Sequence, residues 1–458
     1  MKHNNPLKLL AGALLASSLV ATPALGKVDQ ARADKLGSSE LTVTGAPVAG
    51  NADGSIPAYT GGLKEPPACY KGGDWLCDPF ADDKPLFTIT AENVDQYAGK
   101  LSAGQIALFR KYPKTFRMPV YPTRRTFRMP DDVAALTREN AVKTETLGAT
   151  GLKNYTPKAF PFPITDNGLE MVWNHIARWR GTGVDRFAGQ ATPQANGAYS
   201  MVMFHDEVVI PAAMTDYVEG EDPNVMFYGK QTVIAPSRLA GNVLMVHETI
   251  DQVREPRRAW IYNAGQRRVR RAPQVAYDGP GTAADGLRTA DNYDLYNGSP
   301  DRYTWTFKGK KELYIPYNSY KLDKKGLPYD DVINAGHINQ DLTRYELHRV
   351  YEVEAVLREG TRHIYARRVF HFDEDSWMAA VIDHYDNRGN LWRVAEAHQM
   401  LFYQIPVQGY SVETLYDLNS GRYMVLGLEN NEAQGIKWDA KFSKTDFQPA
   451  AVRRAGVR

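Results

Sequence analysis

The sequence has very little cysteine: Cys69 and Cys77 are the two cysteines among 458 residues. They lie close together in the string ACYKGGDWLCDPF, with a pair of glycines between them. A metal site built on two thiolates needs further ligands, and neither a C-x-x-C spacing nor a neighbouring histidine supplies them. An even count at close spacing favours a disulfide in an exported chain. We therefore predict a Cys69–Cys77 disulfide.

The sequence also lacks an excess of charge and the strings that mark common enzyme classes. Lysine and arginine number 55 against 53 acidic residues, which excludes a global basic field for nucleic acid. No nucleophile elbow, P-loop, H-E-x-x-H or dinucleotide fingerprint is present. We predict no cofactor, no metal and no catalytic residue on this basis.

The apolar run near the N-terminus is short. Lys2 and Lys8 provide a basic start, residues 9–20 are apolar, and residues 24–26 offer a cleavage site of small residues. This pattern predicts a secretory signal peptide over residues 1–26, since the run is too short to span a membrane comfortably. No lipobox cysteine stands at the cleavage point. We therefore expect a soluble periplasmic protein after cleavage.

Alternating apolar and polar residues dominate the chain between residues 337 and 428. In segment 345–357 the apolar side chains fall on one side and the acidic ones on the other, which predicts a strand with one covered and one wet face. Short polar turns separate it from predicted strands at 363–372, 376–385 and 391–403. Further strands are predicted from residue 198 onward, including a hairpin over 257–273. The sequence therefore predicts a large, curved antiparallel sheet over residues 182–430.

Helical patterns precede this sheet. Residues 131–143 form one predicted helix, and a capping box of Ser102 and Gln105 begins another. The pattern over 165–181 carries an apolar stripe, so it is either packed on the sheet or lies inside its curve and lines a cavity. The remaining expected units are an arm clipped by the disulfide (27–90), a helical segment that caps the sheet (91–181) and a C-terminal polar tail (431–458).

Aromatic residues are abundant, with 26 Tyr, 16 Phe and 8 Trp, and they suit a cavity for an apolar ligand. Periodicity does not decide which face of the sheet is concave. The predicted ligand-binding residues are the apolar and aromatic side chains of the helix and the longest strands: Val172, Trp173, Ile176, Trp179, Trp260, Tyr303, Trp305, Phe307, Tyr345 and Tyr351.

Two polar clusters support other interpretations. A metal or acid–base site could form where a hairpin brings together His371, Asp373, Asp383 and His384; the alternative is a solvated hairpin end. A dense basic run in the 257–273 hairpin is either a docking patch for an anionic headgroup or partner, or a charged face that protects a sheet edge. This run consists of Arg267, Arg268, Arg270 and Arg271.

Several strings resemble a known family, in order along the chain. They are NADGSIPAYTGG, YPTRRTF, GLEMVWNHIARWRG, RRVRRAPQVAYD, NGSPDRYTWTFKGKKELYIPYN, HINQDLTRYELHRVYEVEA and DEDSWMAAVIDHYDNRGNLWRVAEAH. Over about residues 45–430 the chain resembles the exported domain-of-unknown-function family of proteobacteria labelled outer-membrane-lipoprotein-sorting-protein-like (LolA/LolB-like). The resemblance implies a mainly β (α+β) fold: a strongly curved antiparallel half-barrel with helices on or in its concave face.

The resemblance further implies a periplasmic carrier or chaperone that binds a lipid or other hydrophobic ligand and moves it between inner and outer membrane. It implies transient membrane contact, an outer-membrane partner protein and an inner-membrane efflux-type transporter. It assigns no catalytic residues. Two alternatives stay open: an exported hydrolase or metal enzyme using the cluster around His371, and an outer-membrane assembly or docking protein without a ligand.

Overall fold

The computed structural model describes residues 27–456, so the predicted signal peptide lies outside the described residues. Among these residues, no helix has the length and apolar character of a membrane span. The α-helices of the described part are α1 (Gln30–Ala33), α2 (Val94–Tyr97), α3 (Ala103–Lys111), α4 (Asp131–Lys143), α5 (Gly168–Ile176), α6 (Tyr329–Val332) and α7 (Pro449–Gly456).

The strands outnumber the helices. In the first half of the described chain they are β1 (Phe87–Ile89), β2 (Met118–Tyr121), β3 (Glu145–Leu147), β4 (Gly151–Lys153), β5 (Gly183–Ala191), β6 (Met201–Val209), β7 (Val225–Ala235), β8 (Val243–Thr249), β9 (Arg258–Asn263) and β10 (Arg268–Arg271). In the second half they are β11 (Tyr303–Pro316), β12 (Tyr345–Leu357), β13 (Arg367–Asp373), β14 (Ala379–Tyr385), β15 (Leu391–Phe402), β16 (Val407–Asp417), β17 (Tyr423–Leu428) and β18 (Lys437–Trp438).

Sixteen of the strands within residues 27–456 form one sheet. Its order is β1-β2-β12-β13-β14-β15-β16-β17-β5-β6-β7-β8-β9-β10, with β11 paired to β12 and β18 to β5. The pairs are antiparallel except for the short contact of β2 with β12. Register shifts interrupt several pairs, for example between Phe307 and Gly309, and such bulges bend and twist a sheet. The sheet does not close, so the predicted mainly β, curved half-barrel is confirmed.

The first predicted strand of the meander is confirmed, since β12 covers residues 345–357. The prediction of a wet face along all of it is wrong. Glu346 and His348 are fully buried, because Arg124 and Tyr317 lie against that face. The backbone N–H of Arg124 donates to Oε2 of Glu346 at 2.7 Å. The alternation of apolar and polar residues therefore predicted the position of β12, but it did not predict which residues cover its polar face.

The half of the sheet from β12 to β17 is buried on both faces. On one face, Trp173 of α5 belongs to a cluster with Ile382 and Ala395. On the other, Phe109 of α3 belongs to a cluster with the adjacent Val381 and Val394. Neighbouring strand residues point to opposite faces, so two helices cover the two sides of the same strands. This half is the core of the molecule.

The half of the sheet from β7 to β9 is covered on one face by the C-terminal residues. Val452 of α7 and Phe447 pack with Tyr228, Met245 and Trp260. The segment 431–458, expected to be a polar tail, therefore includes β18 and a helix that shields apolar strand residues. Only two residues of α7 are buried, Ala451 and Val452, and so short a stripe gives a weak helical pattern in the sequence.

The predicted disulfide between Cys69 and Cys77 is confirmed. Its loop is attached to β15 and the turn after it through Tyr403, whose hydroxyl accepts from the N–H of Cys77 at 3.0 Å and donates to the carbonyl of Cys77 at 3.1 Å. The rest of segment 27–90 includes the short helix α1, and its Leu36 and Ile56 are buried. The arm is thus packed against the sheet domain.

A candidate ligand-binding cavity

The face of β5–β9 opposite α7 lines a cavity of about 290 Å³. Strand register places the lining residues in two rows that run across the sheet. The first row consists of directly paired residues of β5, β6, β7 and β8: Val184, Val208, Gly229 and Val246. The second row lies beside it and consists of Arg186, Asp206, Gln231, Leu244 and Ile261.

The apolar residues of these rows are left uncovered by helices. Leu244 and Val246 are half-buried, whereas Met245 between them is fully buried under α7. This difference follows from the alternation of side chains along a strand. Ile261 is 41% exposed, so the cavity is open beside β9. A cavity wall of half-exposed aliphatic residues is the kind of surface that apolar ligands occupy.

The opposite wall is the segment 275–297, which we call the covering segment. It lies between β10 and β11 and contributes Val275, Pro280, Arg288 and Tyr293 to the cavity. Side chains of the sheet hold it by its backbone. Gln190 donates to the carbonyl of Ala283 at 2.8 Å, Arg393 to that of Leu287 at 2.7 Å and Arg257 to that of Asn297 at 2.7 Å. The covering segment is therefore a fixed wall.

Trp179, just beyond α5, closes one side of the cavity. Its indole N–H donates to the carbonyl of Pro406 at 3.0 Å, and the ammonium of Lys158 lies 5.5 Å from the ring centroid. Asn167 begins α5 by accepting from the N–H groups of Leu169 and Glu170, which sets the start of the helix. Among the ten predicted ligand-binding residues, Trp179 alone lines this cavity in the described structure.

The other predicted ligand-binding residues lie in three places. Seven pack in or against the cluster around α5, where they contact each other rather than the cavity: Val172, Trp173, Ile176, Tyr303, Trp305, Phe307 and Tyr351. Trp260 lies under α7. Tyr345 belongs to the cluster around α3, where its hydroxyl donates to Oε2 of Glu396 at 3.1 Å. The sequence left two alternatives for the 165–181 helix, packing on the sheet or lining a cavity. The helix packs on the sheet, and of its aromatic residues only the last, Trp179, lines the cavity.

The lining residues of β5–β8 are those that sequence reasoning missed. The alternation in YSMVMFHDEVVI and NVMFYGKQTVIAP predicts strands. It places apolar residues on both faces of each strand, so it does not indicate which face lines a cavity. Which set faces the cavity depends on α7 and the covering segment, and neither was predicted. Val208 and Val246 thus carried no signal that separated them from the buried Val209 and Met245.

The inner end of the cavity is charged. Arg178 and Arg180 both form ion pairs with the carboxylate of Asp294. Burial acts to raise the pKa of Asp294, but the two guanidinium groups hold it far below its ordinary value. His175 adds to this contact, because its Nε2 lies 3.0 Å from the carbonyl oxygen of Asp294. Burial lowers the pKa of His175 to about 3, so the ring is neutral at pH 7.

The residues of the predicted metal or acid–base cluster do not share one centre. His371 contacts Glu352 at 3.2 Å, Asp383 accepts from the hydroxyl of Ser102 at 2.9 Å, and His384 lies beside Asn292. The register sets this arrangement, because β13 and β14 pair His371 with Val381 and Val369 with Asp383, so His371 and Asp383 are diagonal rather than directly paired neighbours. The hairpin end is also buried rather than solvated.

Asp373 instead meets His348 and Asp375, whose ligand atoms lie within 4.8 Å of one another. Burial acts to lower the pKa of His348, but the nearby carboxylates of Asp373, at 3.6 Å, and Glu346, at 3.1 Å, raise it to about 9. Asp375 is paired with Arg125 at 2.7 Å. The imidazolium and the guanidinium therefore already supply the positive charge that these carboxylates require.

The basic run lies on the edge hairpin of β9 and β10. Arg267, Arg268, Arg270 and Arg271 are exposed, and none of them forms an ion pair with a residue of the described range. Arg270 is paired with Ile261 and so shares the cavity face, whereas Arg271 is paired with Trp260 on the α7 face. The run is thus split between both faces of the sheet edge.

An open antiparallel half-barrel, with an apolar cavity between its outer strands and a covering segment, is the class of structure that these features define. The chain belongs to the family of proteins of unknown function DUF1329, whose family model matches residues 88–453. This confirms the family expected from the sequence strings. An uncharacterized protein of Pseudomonas aeruginosa is 57% identical over 451 residues, which cover 98% of this chain and 99% of that protein.

Three solved structures are similar to this chain at low identity. A domain from Vibrio parahaemolyticus, named for outer membrane lipoprotein sorting, has a TM-score of 0.42 and 14% identity, with 63% of this chain and 98% of that chain covered. A DUF1329 family protein from Desulfovibrio piger has a TM-score of 0.39 and 14% identity, covering 59% and 92%. A LolA superfamily protein from Nitrosomonas europaea has a TM-score of 0.36 and 9% identity, covering 62% and 98%.

Proposed function

We propose that this protein is a periplasmic carrier that binds a lipid or other hydrophobic ligand in the cavity between β5–β9 and the covering segment. The observation that carries the proposal is the row of half-buried aliphatic residues on the concave face. Apolar surface taken out of water stabilises a complex by roughly 25 cal/mol per Å². The row therefore supplies a driving force for an acyl chain without any new side-chain arrangement.

The compartment and the partners are part of the same proposal. A disulfide suits an oxidising space outside the cytoplasm, and the basic start followed by an apolar run suits export. A carrier there would take its ligand between inner and outer membrane, with an inner-membrane efflux-type transporter and an outer-membrane protein as its partners. The exposed arginines of the β9–β10 hairpin are the surface we propose for contact with anionic headgroups or a partner.

A glycine in the cavity wall allows a direct test. A Cβ atom built on Gly229 would have one neighbour within 4 Å, Cε2 of Phe227 at 3.8 Å, so a large side chain can extend into the cavity without distorting β7. We expect Gly229→Phe to fill the cavity and abolish binding of the uncharged fluorescent probe N-phenylnaphthylamine. Gly99→Phe is the matched control, because Gly99 is exposed, does not line the cavity and also has open space around it.

Native mass spectrometry of the protein purified from the periplasm is the complementary measurement. We expect a stoichiometric apolar adduct on the wild type and on Gly99→Phe, and its loss in Gly229→Phe. Probe binding that is unchanged in a folded Gly229→Phe variant would show that the cavity is not the ligand site.

A further inference from the structure

Arg288 is a buried cation in the cavity wall. The residue is 4% exposed and belongs to the covering segment. Its guanidinium lies 5.5 Å from the ring centroid of Tyr293. The guanidinium forms no hydrogen bond or ion pair with any residue in the described range, and its Nε is buried without a partner. The other arginines at this end, Arg178, Arg180 and Arg186, are each paired with a carboxylate.

The backbone beside Arg288 is shaped to leave its guanidinium in place. The N–H of Gly281 donates to the carbonyl of Arg288 at 2.9 Å. A Cβ atom on Gly281 would lie only 3.2 Å from Nε and 3.3 Å from Cζ of Arg288. Glycine at this position lets the guanidinium lie flat against the chain, so the side chain has a built location in the cavity wall.

The acidic groups near this end do not balance the charge. Asp206 is engaged by Arg186 at 2.9 Å, and Asp294 is shared by two arginines. Burial and the charge of Asp294 raise the pKa of Glu413 to about 8 against the opposing charges of Arg288, Arg186 and Arg178, which favours its uncharged form at neutral pH. Arginine stays cationic in proteins. The inner end of the cavity therefore carries an excess of positive charge.

We propose that the ligand is an anionic amphiphile. Its carboxylate or phosphate head pairs with Arg288, and its acyl chain lies along Val184, Val208 and Val246. This inference rests on the proposed carrier function. An unpaired charge in a buried site is costly, and a bidentate anion relieves that cost with two charge-assisted hydrogen bonds. The apolar row and the cation thus recognise the two parts of one molecule.

The test is displacement of N-phenylnaphthylamine from the full-length protein by three ligands of equal chain length: dodecanoate, dodecyl phosphate and uncharged dodecanol. We expect the preferred anion to displace the probe at a concentration roughly tenfold lower than dodecanol, as one charge-assisted pair implies. The better of the two anions distinguishes a carboxylate from a phosphate head. Arg288→Met should remove this preference and leave displacement by dodecanol unchanged. Arg388→Met, at an exposed turn, should retain the preference.

Stability of the ligand-free variant gives a second readout. Arg288→Met should fold and melt at the same or a higher temperature than the wild type, because it removes an unpaired buried charge. A melting temperature lower by several degrees would show that Arg288 has a structural partner and would overturn the inference. Equal displacement by all three ligands would contradict the proposed recognition of an anionic head but would leave the proposed carrier function standing. Failure of any apolar molecule to bind would overturn both.

Discussion

Arg186 and Asp206 occupy directly opposite positions on β5 and β6, and their side chains form an ion pair with Nη2 2.9 Å from Oδ2. Both are buried at the floor of the cavity. Gln231 of β7 donates to the other oxygen of the same carboxylate at 2.9 Å. One carboxylate therefore links three neighbouring strands at the place where the lining changes from apolar to charged.

Asp206→Asn should destabilise the protein strongly. The substitution leaves the guanidinium of Arg186 buried without an opposite charge, and breaking a buried pair in this way costs about 3–5 kcal/mol. The free energy of unfolding in urea measures the effect. Glu219→Gln, which removes an exposed carboxylate, is the control and should change stability little. A loss below about 1 kcal/mol in Asp206→Asn would mean that the pair is solvated.

Stability should fall as pH rises from about 5 to about 7, and Glu396 should account for part of the slope. Burial raises the pKa of this carboxyl from 4.5 to about 7. Between these two pKa values the native state keeps a proton that the unfolded chain has released. The contribution of this carboxyl to the free energy of unfolding is therefore complete below the pKa of the unfolded state and is lost as pH rises through the pKa of the folded state. Glu396→Gln keeps one oxygen to accept from Gln105 and offers an amide N–H to the hydroxyl oxygen of Tyr345, and it should flatten this slope.

The measurement is the urea midpoint of wild type and Glu396→Gln at several pH values across that window. Glu359→Gln, at an exposed turn, should follow the wild type. Equal slopes for wild type and Glu396→Gln would show that this carboxyl is ionised in the native state.

Removal of the disulfide should have a moderate, local effect. Cys69 and Cys77 close a ring with a sequence separation of 8, so the Cys69→Ser/Cys77→Ser double variant should lose roughly 2–3 kcal/mol. Because the ring contacts Tyr403, limited proteolysis should cut first within residues 66–80 of the variant. The oxidised wild type should resist cleavage there, and equal cleavage rates would show that the contacts with Tyr403 suffice without the covalent link.

The exposed arginines of the β9–β10 hairpin should promote binding to anionic vesicles. Each arginine near an anionic membrane surface contributes on the order of 1 kcal/mol to the binding free energy, and salt screens this attraction. Replacing Arg267, Arg268, Arg270 and Arg271 by glutamine should lower cosedimentation with phosphatidylglycerol vesicles to the level seen with neutral vesicles. A matched variant removes the same number of exposed cations elsewhere, by glutamine at Lys84, Lys324, Arg362 and Arg388. If both variants lose binding equally, net charge rather than the hairpin is responsible.

Individual residues show how far sequence reasoning reached. The capping box of Ser102 and Gln105 was predicted and is present, because it depends on two residues at a fixed spacing. Trp260 is a predicted ligand-binding residue, but α7 covers it. A cluster of His371 and Asp383 with Asp373 and His384 is one of two alternatives from the sequence, and strand register makes His371 and Asp383 diagonal rather than directly paired neighbours. Register and coverage depend on partners distant in the chain, and local spacing carries no record of them.

The sequence by itself determined the features that depend on near neighbours: the strands of the meander, the α5 stripe, the Cys69–Cys77 pairing and the family. Tertiary structure alone decided which face of the sheet lines the cavity. That choice depends on α7, which buries Met245 and leaves Leu244 and Val246 facing the cavity. It also depends on the covering segment, which brings Arg288 to that cavity from outside any regular element. Alternation makes two faces in every strand, and only long-range packing assigns one of them to a ligand.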